Sequence, residues 1–179
     1  FNNLNNQKMK KLLIVLVMVA SLAACTSQET KTEGEDPNMV LFRENAKVVD
    51  AAFKAYSKKD LKEFATYQAD SLKVHSAQFG GKDSNKAEFL ERSANFFKLI
   101  NNINVKVTLL PGVDEVTLKP DGSVRAYVIW SADFVNNAPK TDLKSYFSLK
   151  LDKDHKIYDH DEYFDVSGWF QVASAAPSK

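Results

Sequence analysis

Between Leu41 and Tyr56 apolar side chains return at the spacing of an α-helix. Leu41, Phe42, Val48, Val49, Ala52, Phe53 and Tyr56 fall on one face, interrupted only by Asn45. Asp60, with Glu63 three residues on, has the pattern in which a side chain caps a first turn, and predicts a short helix through Phe64 and Tyr67. Asn85 and Glu88 repeat that signal ahead of Phe89, Leu90, Phe96, Phe97 and Ile100, predicting a helix over 85–101. Leu72 to Ala77 alternates as a short strand would. Gln78 to Ser84 reads as a loop, in which Gly80 and Gly81 can take positive φ.

After Asn102 the period drops from that of a helix to that of a strand. Ile103, Val105, Val107 and Leu109 alternate up to Pro111-Gly112, and Val116 and Leu118 precede a turn at Pro120-Asp121-Gly122. Val124, Ala126, Val128, Trp130, Ala132 and Phe134 make one face of a long strand, and further strands are predicted over 143–151 and 157–165. Short turns between consecutive strands predict antiparallel pairing. Helices first and a meander afterwards predict an α+β domain over 39–171, a curved antiparallel sheet with helices covering one face, followed by a flexible tail over 172–179.

The amino-terminal segment has another pattern. Lys10 and Lys11 precede an apolar run, Leu12 to Ala24, broken only by Ser21 and too short for the roughly 20 residues that cross a bilayer as a helix. A positive flank, a short apolar core and small residues at the end predict an export signal over 1–24, with Met9 as its start. Leu22-Ala23-Ala24-Cys25 resembles the lipobox of bacterial lipoproteins. That resemblance implies cleavage before Cys25 and acylation of its thiol, so the bilayer becomes the first partner, and Thr26 after the cysteine resembles lipoproteins sent to the outer membrane. Two or three acyl chains anchor stably where one does not. Residues 25–38, polar, acidic and without periodicity, are predicted to be a disordered tether.

Charge sharpens the picture. The chain has 24 basic and 23 acidic residues; removing Lys8, Lys10 and Lys11 with the signal leaves 21 against 23, a net charge of −2. A mildly acidic domain lacks the basic stripe that nucleic acid requires, and nucleic-acid binding is excluded. The single cysteine forms no internal disulfide and, once acylated, is no nucleophile. His75, His155 and His160 lack ligand-like spacing, so no metal is expected; nor is there a phosphate loop or dinucleotide fingerprint, and no cofactor is expected.

The last strand carries the candidate chemistry. Alternation puts Tyr158, His160, Glu162 and Phe164 on one side, and a histidine next but one to a carboxylate can share its proton. The alternative is plain pocket lining. Tyr56, Tyr67 and Asp133 are further polar candidates, although Asp133 should point away from the apolar row of its strand. Trp169 and Phe170 read as core closure or a dimer contact.

The long first helix with Lys58-Lys59-Asp60-Leu61 after it, the helix over 85–101 and the strand from Lys156 to Asp165 together resemble the nuclear transport factor 2-like superfamily, and within it the SnoaL-like polyketide-cyclase branch. The resemblance implies a cone-shaped fold with a pocket between sheet and helices, and a homodimer packed through the sheet. Tyr56, Phe97, Val128, Trp130 and Tyr158 are expected to line that pocket. It also implies acid/base work on the last strand, where His160 and Glu162 match a His-x-acid stretch. The reading favoured at this level is a membrane-tethered, non-catalytic module that binds a small apolar ligand or a protein partner in the cell envelope. The alternative is a cofactor-free isomerase, cyclase or dehydratase using His160 and Glu162.

Overall fold

In the computed structural model residues 34–138, 140 and 142–175 are described, without the side chains of Val166 and Phe170. The expected signal segment, Cys25 and most of the expected tether lie outside the described residues. Helix α1 spans Pro37–Ser57, α2 Leu61–Thr66 and α3 Lys86–Phe96. Asp60 accepts from the Glu63 amide, and Asn85 and Glu88 form a reciprocal capping box, as their spacing predicts. Helix α1 begins two residues ahead of Met39, inside the stretch expected to be tether. Asp36 caps the Asn38 amide at 2.9 Å, and Pro37, with its φ already helical, needs no donor in the first turn.

Six strands follow: β1 Gln68–His75, β2 Ser84–Asn85, β3 Ile100–Val113, β4 Pro120–Phe134, β5 Leu143–Leu151 and β6 Ile157–Tyr163. They form one sheet in the order β2-β1-β6-β5-β4-β3. Every pair is antiparallel except β1 with β6, which lie parallel. Consecutive turns cannot signal that pairing, because the two strands are far apart in the chain. Strand β3 runs through Pro111-Gly112, where a turn was expected. It is an edge strand, so the missing proline N–H costs no ladder bond. The reversal comes later, where Asp114 accepts from the Val116 and Thr117 amides and leaves Val116 and Leu118 exposed.

Strand β6 contains the local irregularity that matters most. Ile157 pairs with Leu151, but Asp159, two residues on, pairs with Lys150, one residue back. Tyr158 is therefore the extra residue of a β-bulge, and the alternation flips across it. Ile157, His160 and Glu162 point inward, whereas Tyr158, expected to share their face, is exposed.

Helix α4, Val166–Ser174, was not foreseen. Asp165 caps it through the Gly168 amide at 2.9 Å. It absorbs Val172 and Ala173, expected in the tail, and buries Ala173 with Ile100, Ala132 and Phe134.

Helices α1, α2 and α3 cover the inner face of the sheet over a core of Val49, Phe53, Phe64, Leu72, Phe89, Val124, Phe147 and Leu149. Gly122, with φ at +81°, lies so close under α1 that a Cβ there would stand 2.5 Å from Leu41 Cδ2; a larger residue would strain the backbone and push the Leu41 side chain aside. No helix among the described residues is long and apolar enough to cross a membrane.

Candidate functional site

A cavity of about 180 Å³ opens between the inner face of the sheet and the helices. Its walls are aromatic. Phe53 and Tyr56 from α1, Phe64 from α2, Phe89 and Phe96 from α3, Trp130 from β4, Phe147 from β5 and Trp169 from α4 all line it. Edge-to-face contacts lock these rings, among them Phe53 with Trp130 at 5.7 Å and Tyr56 with Phe64 at 5.1 Å. Solvent reaches the lining at Gln78 and at Arg92. An apolar hollow of 150 Å³ holds one benzene ring, so this one fits a single-ring body carrying a small substituent.

Polar groups are few and convergent. His160 is 5% exposed and Glu162 9%, with His160 Nε2 3.8 Å from Glu162 Oε1. Arg92 reaches in from α3 and donates through Nη2 to both Glu162 oxygens, at 3.1 and 3.2 Å, while its guanidinium lies 5.2 Å over the Phe89 ring. Among the described residues neither ring nitrogen of His160 has a hydrogen-bond partner, nor has either end of the Gln68 amide, which is 2% exposed. Buried polar atoms without partners are rare in native proteins, and His160, Gln68 and Ser93 bring five of them to the lining of one cavity, where a ligand can supply the missing bonds.

Burial sets the protonation states. It pushes the His160 imidazole pKa down to about 3, with the Arg92 charge acting in the same direction, so His160 is neutral at ordinary pH: one nitrogen donates and the other accepts. Burial raises the Glu162 carboxyl above its ordinary range, and Arg92 opposes it. The Tyr56 hydroxyl, buried beside Ser93, is pushed up to about 12 and stays a neutral donor. Of the polar side chains lining the cavity among the described residues, Glu162 is the carboxyl group, and burial shifts it toward its protonated form against the opposing charge of Arg92.

The structure brings together Tyr56, Trp130, His160 and Glu162 from the residues singled out in the sequence. Phe97 stands behind the lining, edge-to-face with Tyr56 at 4.8 Å, because it follows the end of α3 and turns toward the cluster around Ile100. Val128 is 1% exposed within the core rather than on the wall, and the bulge turns Tyr158 outward. Asp133 lies on the outer face with Lys140 and Asn102, as its parity predicts, and Tyr67 bonds Glu63 outside the lining. Trp169 stacks on Phe96 at 4.1 Å and also lines the cavity. Arg92, Ser93 and Gln68 are not legible in the sequence as site residues. For Arg92 the signal was present, a cation on the α3 face shared by Phe89 and Phe96. Among the described residues no three His, Cys, Asp or Glu side chains gather as a metal site requires.

No family model matches the chain, and no curated protein matches it by sequence. Solved structures do match. A candidate polyketide cyclase from Xanthomonas campestris superposes with a TM-score of 0.58 at 12% identity, covering 75% of this chain and 99% of its own. A nuclear transport factor 2-like protein of unknown function from Burkholderia pseudomallei gives 0.56 at 12% identity, over 73% and 98%. The epoxide hydrolase/cyclase-like enzyme SalBIII, of pyran ring formation in salinomycin, gives 0.54 at 11% identity, over 70% and 93%. The chain thus has the nuclear transport factor 2-like α+β fold, of the form seen in SnoaL-like proteins.

Proposed function

We propose that the domain is a cofactor-free acid/base enzyme of the isomerase, cyclase or dehydratase kind, acting on a small ligand with an apolar, single-ring-sized body. The observation that carries this reading is the burial of Glu162 beside an unpartnered, neutral His160 at one wall of an aromatic cavity. Glu162 moves the proton. His160, neutral, donates a hydrogen bond to the oxygen on which charge develops, where an imidazolium would give its proton away. Tyr56 supplies a second neutral donor. The cyclase and cyclase-like enzyme among the structural neighbours support this over a purely binding role, at the level of fold.

The same proposal places the domain on a membrane, tethered through acylated Cys25 at the outer membrane of a bacterial envelope, on the strength of Leu22-Ala23-Ala24-Cys25. It also includes a homodimer through the outer face of the sheet, where Tyr127, Tyr146 and Tyr163 stack in a row at 5.1 and 5.5 Å.

Phenylacetone fits the cavity's size and has exchangeable protons beside its carbonyl. With the full chain in deuterium oxide its deuteration should outpace the buffer rate, and Glu162→Gln should return it to that rate. Binding of phenylacetone with exchange no faster than in buffer would replace catalysis by the non-catalytic, ligand-binding reading.

A further inference from the structure

Arg92 holds Glu162 through one nitrogen, Nη2, which reaches both carboxylate oxygens. A guanidinium and a carboxylate that match well bond fork to fork through two nitrogens. Among the described residues, Nη1 and Nε of Arg92 bond to nothing else. The guanidinium lies 5.2 Å over the Phe89 ring, and Arg92, which lines the cavity, is also 40% open to solvent, so the unused part of the fork is accessible to a ligand at the cavity mouth. The pair inside the protein is thus a poorer match for Arg92 than a free carboxylate.

We propose that the ligand of this cavity is an apolar acid, whose carboxylate takes the Arg92 fork while Glu162, displaced, takes up one proton from solvent. The inference rests on the cavity being the ligand site and adds the ligand's charge. Three observations support it. Among the described residues of the lining, Arg92 and Glu162 alone carry charge, so an anion arriving at Arg92 would leave a second negative charge in an apolar space unless Glu162 is neutralised. Burial already disposes Glu162 toward its neutral form. His160, 3.8 Å away with both nitrogens unpartnered, offers an acceptor for the new O–H after a movement of about 1 Å.

The groups facing Glu162 are consistent with the exchange. Arg92 comes from α3, His160 from β6 itself and Tyr56 from α1, while its partner across the sheet on β5 is the apolar Phe147. Of these Arg92 alone is charged at neutral pH, and in the bound state it belongs to the ligand. Charge is conserved in the cavity: one cation and one anion before, one cation and one anion after, with the incoming negative charge matched by the proton.

Phenylacetate and the neutral, nearly isosteric phenylacetamide separate charge from shape. Calorimetry of the full chain at pH 7, in phosphate and in Tris, reads proton uptake from the difference in heats. About one proton should enter with phenylacetate and none with phenylacetamide, and the phenylacetate Kd should rise up to roughly tenfold per pH unit where that linkage operates. Arg92→Gln should weaken phenylacetate by at least about tenfold and leave phenylacetamide within about twofold, which also shows that the variant is folded. Glu162→Gln should tighten phenylacetate and abolish proton uptake. Phenylacetate binding without proton uptake, binding undiminished in Arg92→Gln, or binding of phenylacetamide alone would each overturn the inference and leave the cavity a ligand site. Binding of neither compound would overturn both.

Discussion

Asn45, the one polar residue on the apolar face of α1, donates through Nδ2 to the carbonyl of Gly122 at 2.9 Å, 77 residues along the chain. Its Oδ1 accepts from His155 Nδ1 at 2.7 Å. One buried amide thus ties the first helix to the opening residues of strand β4 and to the turn before β6. The break in the hydrophobic pattern is a pin between three segments.

Replacing Asn45 with Leu keeps the branched shape of the side chain and leaves the Gly122 carbonyl without its partner. The expected loss is about 1–3 kcal/mol in urea denaturation, the cost of an unmade buried hydrogen bond. A change below about 0.5 kcal/mol would mean that the pin is dispensable.

His160 makes the fold acid-sensitive. Its pKa of about 3 in the folded state lies below the unfolded value of about 6.5, so below that value the unfolded chain binds a proton that the folded one refuses. The histidine costs nothing above pH 6.5 and up to about 1.4 kcal/mol per pH unit below it, down to pH 3. The stability of wild type relative to His160→Gln should therefore fall between pH 7 and pH 4.5. A constant difference would place His160 in water.

Glu162 acts in the opposite sense. Its folded pKa is raised, so the folded state holds the proton more tightly than the unfolded chain does, and that advantage disappears as pH rises through the folded pKa. Glu162→Gln mimics the protonated form at every pH. Its melting temperature relative to wild type should be higher at pH 8 than at pH 4.5. The reverse order would show that Arg92 overcomes the burial.

The bulge in β6 separates Tyr158 from His160 and Glu162, with which alternation had grouped it. Tyr158→Ala, on the outside, should cost within about 0.5 kcal/mol and leave phenylacetamide binding unchanged, as surface changes do. Phe147→Ala, inside, should cost about 3–5 kcal/mol by emptying a packed site. A Tyr158→Ala variant that loses ligand binding would restore the unbroken alternation.

If Cys25 carries the anchor, the full chain sediments with membranes and mass spectrometry finds a diacylated cysteine as its first residue. Cys25→Ser should abolish both. A wild-type protein with a free thiol at Cys25 would refute the lipid anchor.

The elements were largely legible because they are local. Caps at Asp60 and Asn85 form within one turn, and the alternation from Val124 to Phe134 is read along one strand. Errors fell where a distant neighbour sets the geometry. Pro111 stays in a strand only because that strand is an edge, and Tyr158 turns outward only because β5 and β6 shift register. The cap at Asp165 was local as well, but two aromatics after a strand hid the helix it begins.

His160 and Glu162 were found by their spacing, since side chains two apart on a strand face the same way wherever that strand lies. The ion pair with Arg92, the unpartnered Gln68 amide and the displacement of Phe97 and Val128 from the wall could not be found so. Sequence by itself determined three of the helices, the long strands and the acid and base that share a face, because period and capping act over a few residues. Tertiary structure alone decided which groups surround that face, and hence their protonation, because burial and charge act through space between segments that the chain keeps far apart.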